Sequence, residues 1–132
     1  PGMLSHEHLT RVIIGTAFRV HNLPGPGHLE HVYRNALAHL LRKQGYKVLV
    51  ESRLFVFLEG APMGYSEADL VVEDTVVVET KAVEEIRKGF EYRIRAYLAS
   101  SPQEVGLILN FGATKVDSRR EVASQAQKKR TG

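Results

Sequence analysis

The 132-residue sequence contains no cysteine, which excludes a disulfide framework and a zinc site built from thiolates. It has no apolar run near the roughly 18 residues that a membrane-spanning helix needs, and no segment resembles a signal peptide. We therefore expect a soluble, cytoplasmic protein that does not bind membranes. Hydrophobic residues make up 43% and charged residues 25%, so the chain should form one globular domain with a core of its own.

The formal net charge of +3 is unevenly distributed along the chain. Residues 1–66 hold 7 Lys/Arg and 4 Asp/Glu, residues 67–110 hold 5 and 9, and residues 111–132 hold 6 and 2. The basic residues near the end predict a flexible basic tail over 123–132. Such a tail can bind nucleic acid, although a solvated terminus is the simpler interpretation. The acidic middle of the chain needs a separate explanation.

The spacing of apolar residues predicts three helices and six strands. The helices are expected over 5–21, 28–44 and 82–100, and the strands over 47–51, 54–58, 68–72, 76–80, 105–111 and 116–122. The strands over 68–72 and 76–80 should form a central hairpin, because both of their faces are apolar. This order of elements predicts a single α/β domain, a mixed β-sheet flanked by helices.

Three charged residues interrupt the two apolar strands of the central hairpin: Asp69, Glu79 and Lys81. A loop over 73–75 places Asp69 directly opposite Glu79, and Lys81 lies on the same face because it is two residues from Glu79. Two adjacent carboxylates repel each other, and a divalent cation would relieve that repulsion. A two-carboxylate Mg²⁺ site beside a lysine is suited to phosphodiester hydrolysis. The alternative is a local ion pair between Asp69 and Lys81, with Glu79 solvated.

Residues on two helices are candidates for supporting roles. Glu30 lies on the flank of the apolar stripe of the second helix, where it can be a third acidic group at the metal. Alternatively, it is a first-turn carboxylate favoured by the helix dipole. Lys88 and Arg93 on the third helix can follow a nucleic-acid backbone, but a solvated face paired with acidic neighbours explains them equally well.

Several segments resemble the bacterial GxxExxY protein family. They are residues 23–27 (LPGPG), 27–33 (GHLEHVY), 68–72 (ADLVV), 78–83 (VETKAV), 97–98 (YL) and 109–112 (LNFG). The resemblance covers about residues 5–122, and it implies a PD-(D/E)XK nuclease-like domain over residues 3–122. That superfamily has the restriction-endonuclease-like fold.

The resemblance also implies roles for individual residues. Asp69 and Glu79 would be metal ligands together with the backbone carbonyl of Thr80, Lys81 would be the catalytic lysine, and Glu30 would assist the metal site. Tyr33 would be the signature tyrosine, with a possible role at the substrate, although a core aromatic is an equal interpretation. Two positions depart from the family pattern: Arg93 stands where glutamine is frequent, and Ser66-Glu67 stands where Tyr-Arg is frequent.

The sequence therefore predicts a nuclease that uses Mg²⁺ or Mn²⁺ and hydrolyses nucleic acid, with DNA expected by analogy with the superfamily. Three alternatives remain open. The chain can be a non-catalytic nucleic-acid-binding module on the same fold, or a Holliday-junction resolvase, which would act as a homodimer. It can also be a protein-interaction domain with vestigial carboxylates.

Overall fold

A computed structural model of the protein describes residues 6–123. Its helices are α1 (Glu7–Asn22), α2 (Glu30–Lys43) and α3 (Lys88–Ser100), and its strands are β1 (Val48–Leu58), β2 (Ala61–Val72), β3 (Val76–Lys81), β4 (Val105–Asn110) and β5 (Asp117–Val122). The predicted basic tail lies outside the described residues, apart from its first residue. The strands form one sheet in the order β1-β2-β3-β4-β5, in which only β3 and β4 are parallel.

The sheet is covered by helices on both faces. Helices α1 and α2 pack on one face, against alternate residues of the central strands such as Val76 and Val78. Helix α3 packs on the other face, where Val77 and Ile108 are buried. The central strands are therefore apolar on both sides, as fully covered strands must be. The prediction of a single mixed α/β domain is confirmed.

The hairpin of β1 and β2 is longer than the sequence pattern predicts. β1 runs through both predicted strands, although the backbone at Glu51 has a φ of 55°. β2 begins at Ala61 instead of residue 68, and residues 61–67 pair with residues 53–58. The hairpin extends this far because its turn takes only Glu59 and Gly60, whose φ angles of 51° and 79° fit a tight two-residue turn.

Helix α3 begins at Lys88 and not at residue 82 as predicted. The reason is Asn110, a fully buried side chain at the end of β4. Its Nδ2 donates to the carbonyl of Val83 at 2.9 Å, and its Oδ1 accepts from the N–H of Val83 at 3.0 Å. Because both backbone groups of Val83 bind this side chain, the segment over 82–87 stays outside the helix.

The chain after β4 also fixes the end of β3. The N–H of Phe111 donates to the carbonyl of Lys81 at 2.7 Å. Gly112 donates its N–H to Oδ1 of Asn110 at 3.0 Å and packs so closely on Ala82 and Val83 that a β-carbon would collide with their backbone. The direction of the chain directly after Lys81 is therefore set by residues 110–112.

We expect Gly112→Ala to lower the free energy of unfolding by about 1–3 kcal/mol, because the added methyl group has no space. Chemical denaturation would measure the change. Gly89→Ala is the matched control, since no atom lies within 4 Å of the β-carbon that it adds and alanine favours a helix. Equal destabilisation by both substitutions would contradict the close approach of Gly112.

Candidate active site

Two carboxylates meet where the ladder between β2 and β3 ends. The hairpin register pairs Leu70 with Val78, so that Asp69 and Glu79 follow as the next opposed positions. The N–H of Asp69 donates to Oε1 of Glu79 at 3.3 Å. The opposition expected from the loop over 73–75 is therefore present.

Asp69 also connects β2 to the backbone of β3. Its Oδ2 accepts from the N–H of Thr80 at 2.8 Å and from the Oγ1 hydroxyl of Thr80 at 3.1 Å. Thr80 is fully buried. These bonds replace the strand ladder at this point, and they place the Thr80 backbone beside the two carboxylates.

The environment of Glu79 favours its neutral form. Burial raises the pKa of its carboxyl, and the negative charge of Asp69 raises it further. A hydrogen bond from the Asp69 N–H and the charge of Lys81 act in the opposite direction, and the resulting pKa is about 8. At neutral pH and without a metal, the neutral form of the Glu79 carboxyl group is therefore favoured.

Lys81 completes the group on the α3 side of the sheet. Its Nζ lies 4.7 Å from the centre of the Phe90 ring, within range of a cation–π contact. Its positive charge acts against the upward pKa shifts of Glu79 and of Glu30, so it lies within electrostatic reach of both.

Glu30 is the first residue of α2 and is half-buried. Burial raises its pKa and the charge of Asp69 adds to this, whereas Lys81 and Arg34 oppose it. Glu30 therefore lies within electrostatic reach of both Asp69 and Lys81. However, within residues 6–123 no three His, Asp or Glu side chains converge closely enough to hold a metal ion. The structure of these residues therefore does not bring Glu30 together with Asp69 and Glu79 into a three-carboxylate cluster.

Comparison with known proteins identifies the superfamily to which the chain belongs. The sequence profile of the PD-(D/E)XK nuclease superfamily matches residues 7–122. The chain belongs to the PD-(D/E)XK nuclease superfamily. Asp69 and the Glu79-Thr80-Lys81 segment fit the residue pattern in the superfamily's name. The match identifies the superfamily and does not specify a family within it.

The fold of this PD-(D/E)XK protein is also found in a solved structure. The crystal structure of SSO0001 aligns with a TM-score of 0.56 at 11% identity, covering 92% of this chain and 81% of that chain. Such a likeness supports the fold alone. The mixed sheet with its flanking helices is consistent with the restriction-endonuclease-like fold. No curated protein matches the sequence, and in residues 6–123 no helix is long and apolar enough to cross a membrane.

The predicted substrate residues of the PD-(D/E)XK domain lie at different distances from the carboxylate pair. Arg93 is exposed on α3 and lines a cavity of about 250 Å³ together with Glu79 and Tyr97. Lys88 is exposed at the first residue of α3 and does not line this cavity. The structure thus brings Arg93 to the site and leaves Lys88 at its periphery.

Tyr33 has structural contacts in place of the predicted access to substrate. It is 1% exposed and stacks on Phe111, with ring centres 4.8 Å apart and planes within 7°. Its hydroxyl donates to the carbonyl of Gly25 at 2.7 Å and accepts from the N–H of His28 at 3.2 Å. Tyr33 therefore anchors the loop before α2. Its burial and its contacts fit the interpretation of this residue as a core aromatic.

Asn110 is a structurally important residue that the sequence patterns do not single out. In the sequence it stands only within the motif of residues 109–112, yet its side chain holds the segment that follows Lys81. The available signal was a polar side chain at the end of an otherwise apolar strand, which must find partners if it is buried.

The carboxyl group of Glu79 should make the metal-free protein less stable as the pH rises. Its folded pKa of about 8 exceeds its ordinary value of 4.5, so between these values the folded state binds the additional proton and stability falls with pH. Glu79→Gln removes this dependence. From pH 5 to pH 8, the variant should gain on the order of 3 kcal/mol relative to the unmodified protein.

Urea denaturation in EDTA at several pH values would measure this difference. Glu59→Gln, at an exposed carboxylate in the β1–β2 turn, is the matched control and should follow the unmodified protein. Parallel stability curves for Glu79→Gln and the unmodified protein would contradict the assigned proton.

Tyr33→Phe should lower the free energy of unfolding by about 1–2 kcal/mol, because Gly25 and His28 each lose a hydrogen-bond partner. Affinity for nucleic acid, measured by fluorescence anisotropy, should not change. Tyr92→Phe removes the hydroxyl from a tyrosine that is 62% exposed and should change neither property. A loss of affinity with unchanged stability would instead place Tyr33 at the substrate.

Proposed function

We propose that this protein is a metal-dependent nuclease that hydrolyses phosphodiester bonds of DNA with Mg²⁺ or Mn²⁺, and that it belongs to the GxxExxY family. The observation that carries the proposal is the opposition of Asp69 and Glu79 at the end of the ladder between β2 and β3, with Lys81 within electrostatic reach. Membership in the PD-(D/E)XK nuclease superfamily supports the reaction class.

The chemistry of these groups fits a divalent cation. Two carboxylates and the Thr80 carbonyl are oxygen donors, and Mg²⁺ usually binds one or two carboxylates and keeps several waters. The cation would take the place of the proton on Glu79 and relieve the repulsion from Asp69. When bound, it supplies a more acidic water and a positive charge that stabilises the negative charge developing on the phosphate.

The side chains around this pair have complementary roles in the proposal. Lys81 binds the scissile phosphate or orients the attacking water, and its contact with Phe90 keeps its ammonium near the carboxylates. Arg93 contacts the phosphate backbone from the other side of Glu79, across the cavity that both residues line. Glu30 assists through its charge, and Lys88 contacts the backbone further from the reacting bond.

One observation favours a second candidate, a non-catalytic nucleic-acid-binding module. Oδ2 of Asp69 already accepts two hydrogen bonds from Thr80. Asp69 therefore has a structural reason to be present even without a metal. This candidate predicts binding of nucleic acid without cleavage.

Cleavage assays with Mg²⁺ or Mn²⁺ test the proposal on supercoiled plasmid, linear duplex, single-stranded DNA, RNA and four-way junctions. Lys81→Met retains the apolar part of the side chain and should reduce cleavage at least about 100-fold. It should retain Mg²⁺ binding in calorimetry, whereas Glu79→Gln should weaken it. The control is Lys43→Ala, at an exposed lysine in the last turn of α2, and it should remain active.

The outcomes separate the candidates. Cleavage that EDTA and Lys81→Met both abolish supports the nuclease, and a preference for four-way junctions would identify a resolvase. Binding without any cleavage, together with no Mg²⁺ binding, would replace the nuclease with the binding module.

A further inference from the structure

β1 forms one edge of the five-stranded sheet. Helix α2 covers only the beginning of this edge, where Arg42 donates to the carbonyl of Val48 at 2.6 Å and Arg34 pairs with Glu51 at 3.2 Å. From Ser52 to Leu58, no strand of the described part of the chain pairs with the outer side of β1. An edge strand of this length is open to pairing with another chain.

The same hairpin carries a cluster of exposed apolar side chains. Each of them is more than half exposed: Phe55, Phe57, Leu58, Met63 and Tyr65. Phe55 and Tyr65 are paired across the strands, with ring centres 5.9 Å apart. A group of exposed apolar side chains on one hairpin is a candidate interaction site.

The sequence of β1 is complementary to itself in the antiparallel direction. Residues 53–59 read RLFVFLE, with the same apolar residues on both sides of Val56 and opposite charges at the two ends. If two copies pair around Val56, Phe55 faces Phe57 of the second copy. Arg53 then faces Glu59 of the second copy, so both ends of the paired strands are joined by opposite charges.

The charge of the hairpin favours a protein partner over nucleic acid. Residues 51–67 contain one basic residue, Arg53, and three acidic residues, Glu51, Glu59 and Glu67. A polyanion would be repelled by this surface. A second copy of the chain, in contrast, offers a basic and an acidic residue at matching positions. The register shift in the hairpin places its additional residue, Met63, on β2, so that no residue is inserted between 52 and 58 of β1.

We propose that the protein forms a symmetric dimer in which the β1 strands of two copies pair antiparallel around Val56. The two sheets then become one continuous sheet, and the phenylalanines of both copies form a shared apolar cluster. The interface is isologous, as expected of a two-fold dimer. A stable interface usually buries roughly 800 Å² per partner, and the paired strands and the exposed phenylalanines of both copies would contribute to it.

Analytical ultracentrifugation of the unmodified protein, free of nucleic acid, tests the association directly. A monomer–dimer equilibrium is expected, and amides of residues 52–58 should exchange hydrogen more slowly as the protein concentration rises. A monomer at all concentrations up to about 100 μM would overturn the proposal. So would association that appears only when DNA is added.

A charge-reversal experiment tests the register. Arg53→Glu and Glu59→Arg should each weaken self-association at least about tenfold, because each variant then sets like charges against each other at both ends of the paired strands. An equimolar mixture of the two variants should recover the affinity as a mixed dimer, since every charged pair is again opposite in sign. An effect within one chain cannot produce this recovery.

The control for these variants is Leu23→Ser, which removes an apolar side chain that is 70% exposed in the loop after α1. Its self-association should equal that of the unmodified protein. Circular dichroism would verify that all variants are folded. If the mixture stays monomeric, or if Leu23→Ser alone abolishes the dimer, pairing through β1 is wrong whether or not the protein is a nuclease.

Discussion

The structure depends on how the chain holds two carboxyl groups side by side at the edge of an apolar core. Asp69 and Glu79 cannot both carry a charge there without a large electrostatic cost. In the metal-free protein, burial and the charge of Asp69 raise the pKa of Glu79 and favour its neutral form, and Thr80 donates two hydrogen bonds to Asp69. In the proposed function, a divalent cation would take the place of the proton on Glu79, so that metal binding and proton release are coupled.

The pairing of these carboxylates could be predicted from the sequence because it follows from one short loop. Two β-branched runs separated by residues 73–75 leave few registers, and the apolar faces select among them. The raised pKa of Glu79 could not be predicted from the sequence. It depends on burial beneath α3, where Arg93 and Tyr97 line the same cavity, and no local pattern connects positions so far apart.

Tertiary contacts explain one wrong boundary and one open alternative in the sequence-based predictions. The helical period over 82–100 is present in the sequence, but Asn110 binds both backbone groups of Val83 and delays the helix. For Tyr33, the pattern could not decide between a substrate contact and the core. The decision comes from Phe111, which stacks on the ring, and from a loop carbonyl that accepts the hydroxyl proton. Tertiary contacts override local patterns at both positions.

Asp69 is a candidate metal ligand and also accepts two structural hydrogen bonds from Thr80. Substitutions at other residues are therefore better tests of the proposed catalysis. Removing the Asp69 carboxylate takes a candidate metal ligand from the site and also releases the N–H and hydroxyl of Thr80, a buried residue. Lost activity in such a variant would not separate catalysis from folding. Glu79 and Lys81 differ in this respect. Glutamine in place of Glu79 remains neutral and can accept the same hydrogen bond from Asp69, and Lys81 contacts Phe90 through a cation–π pair that an apolar side chain can replace. Substitutions at these two residues therefore separate loss of function from loss of structure.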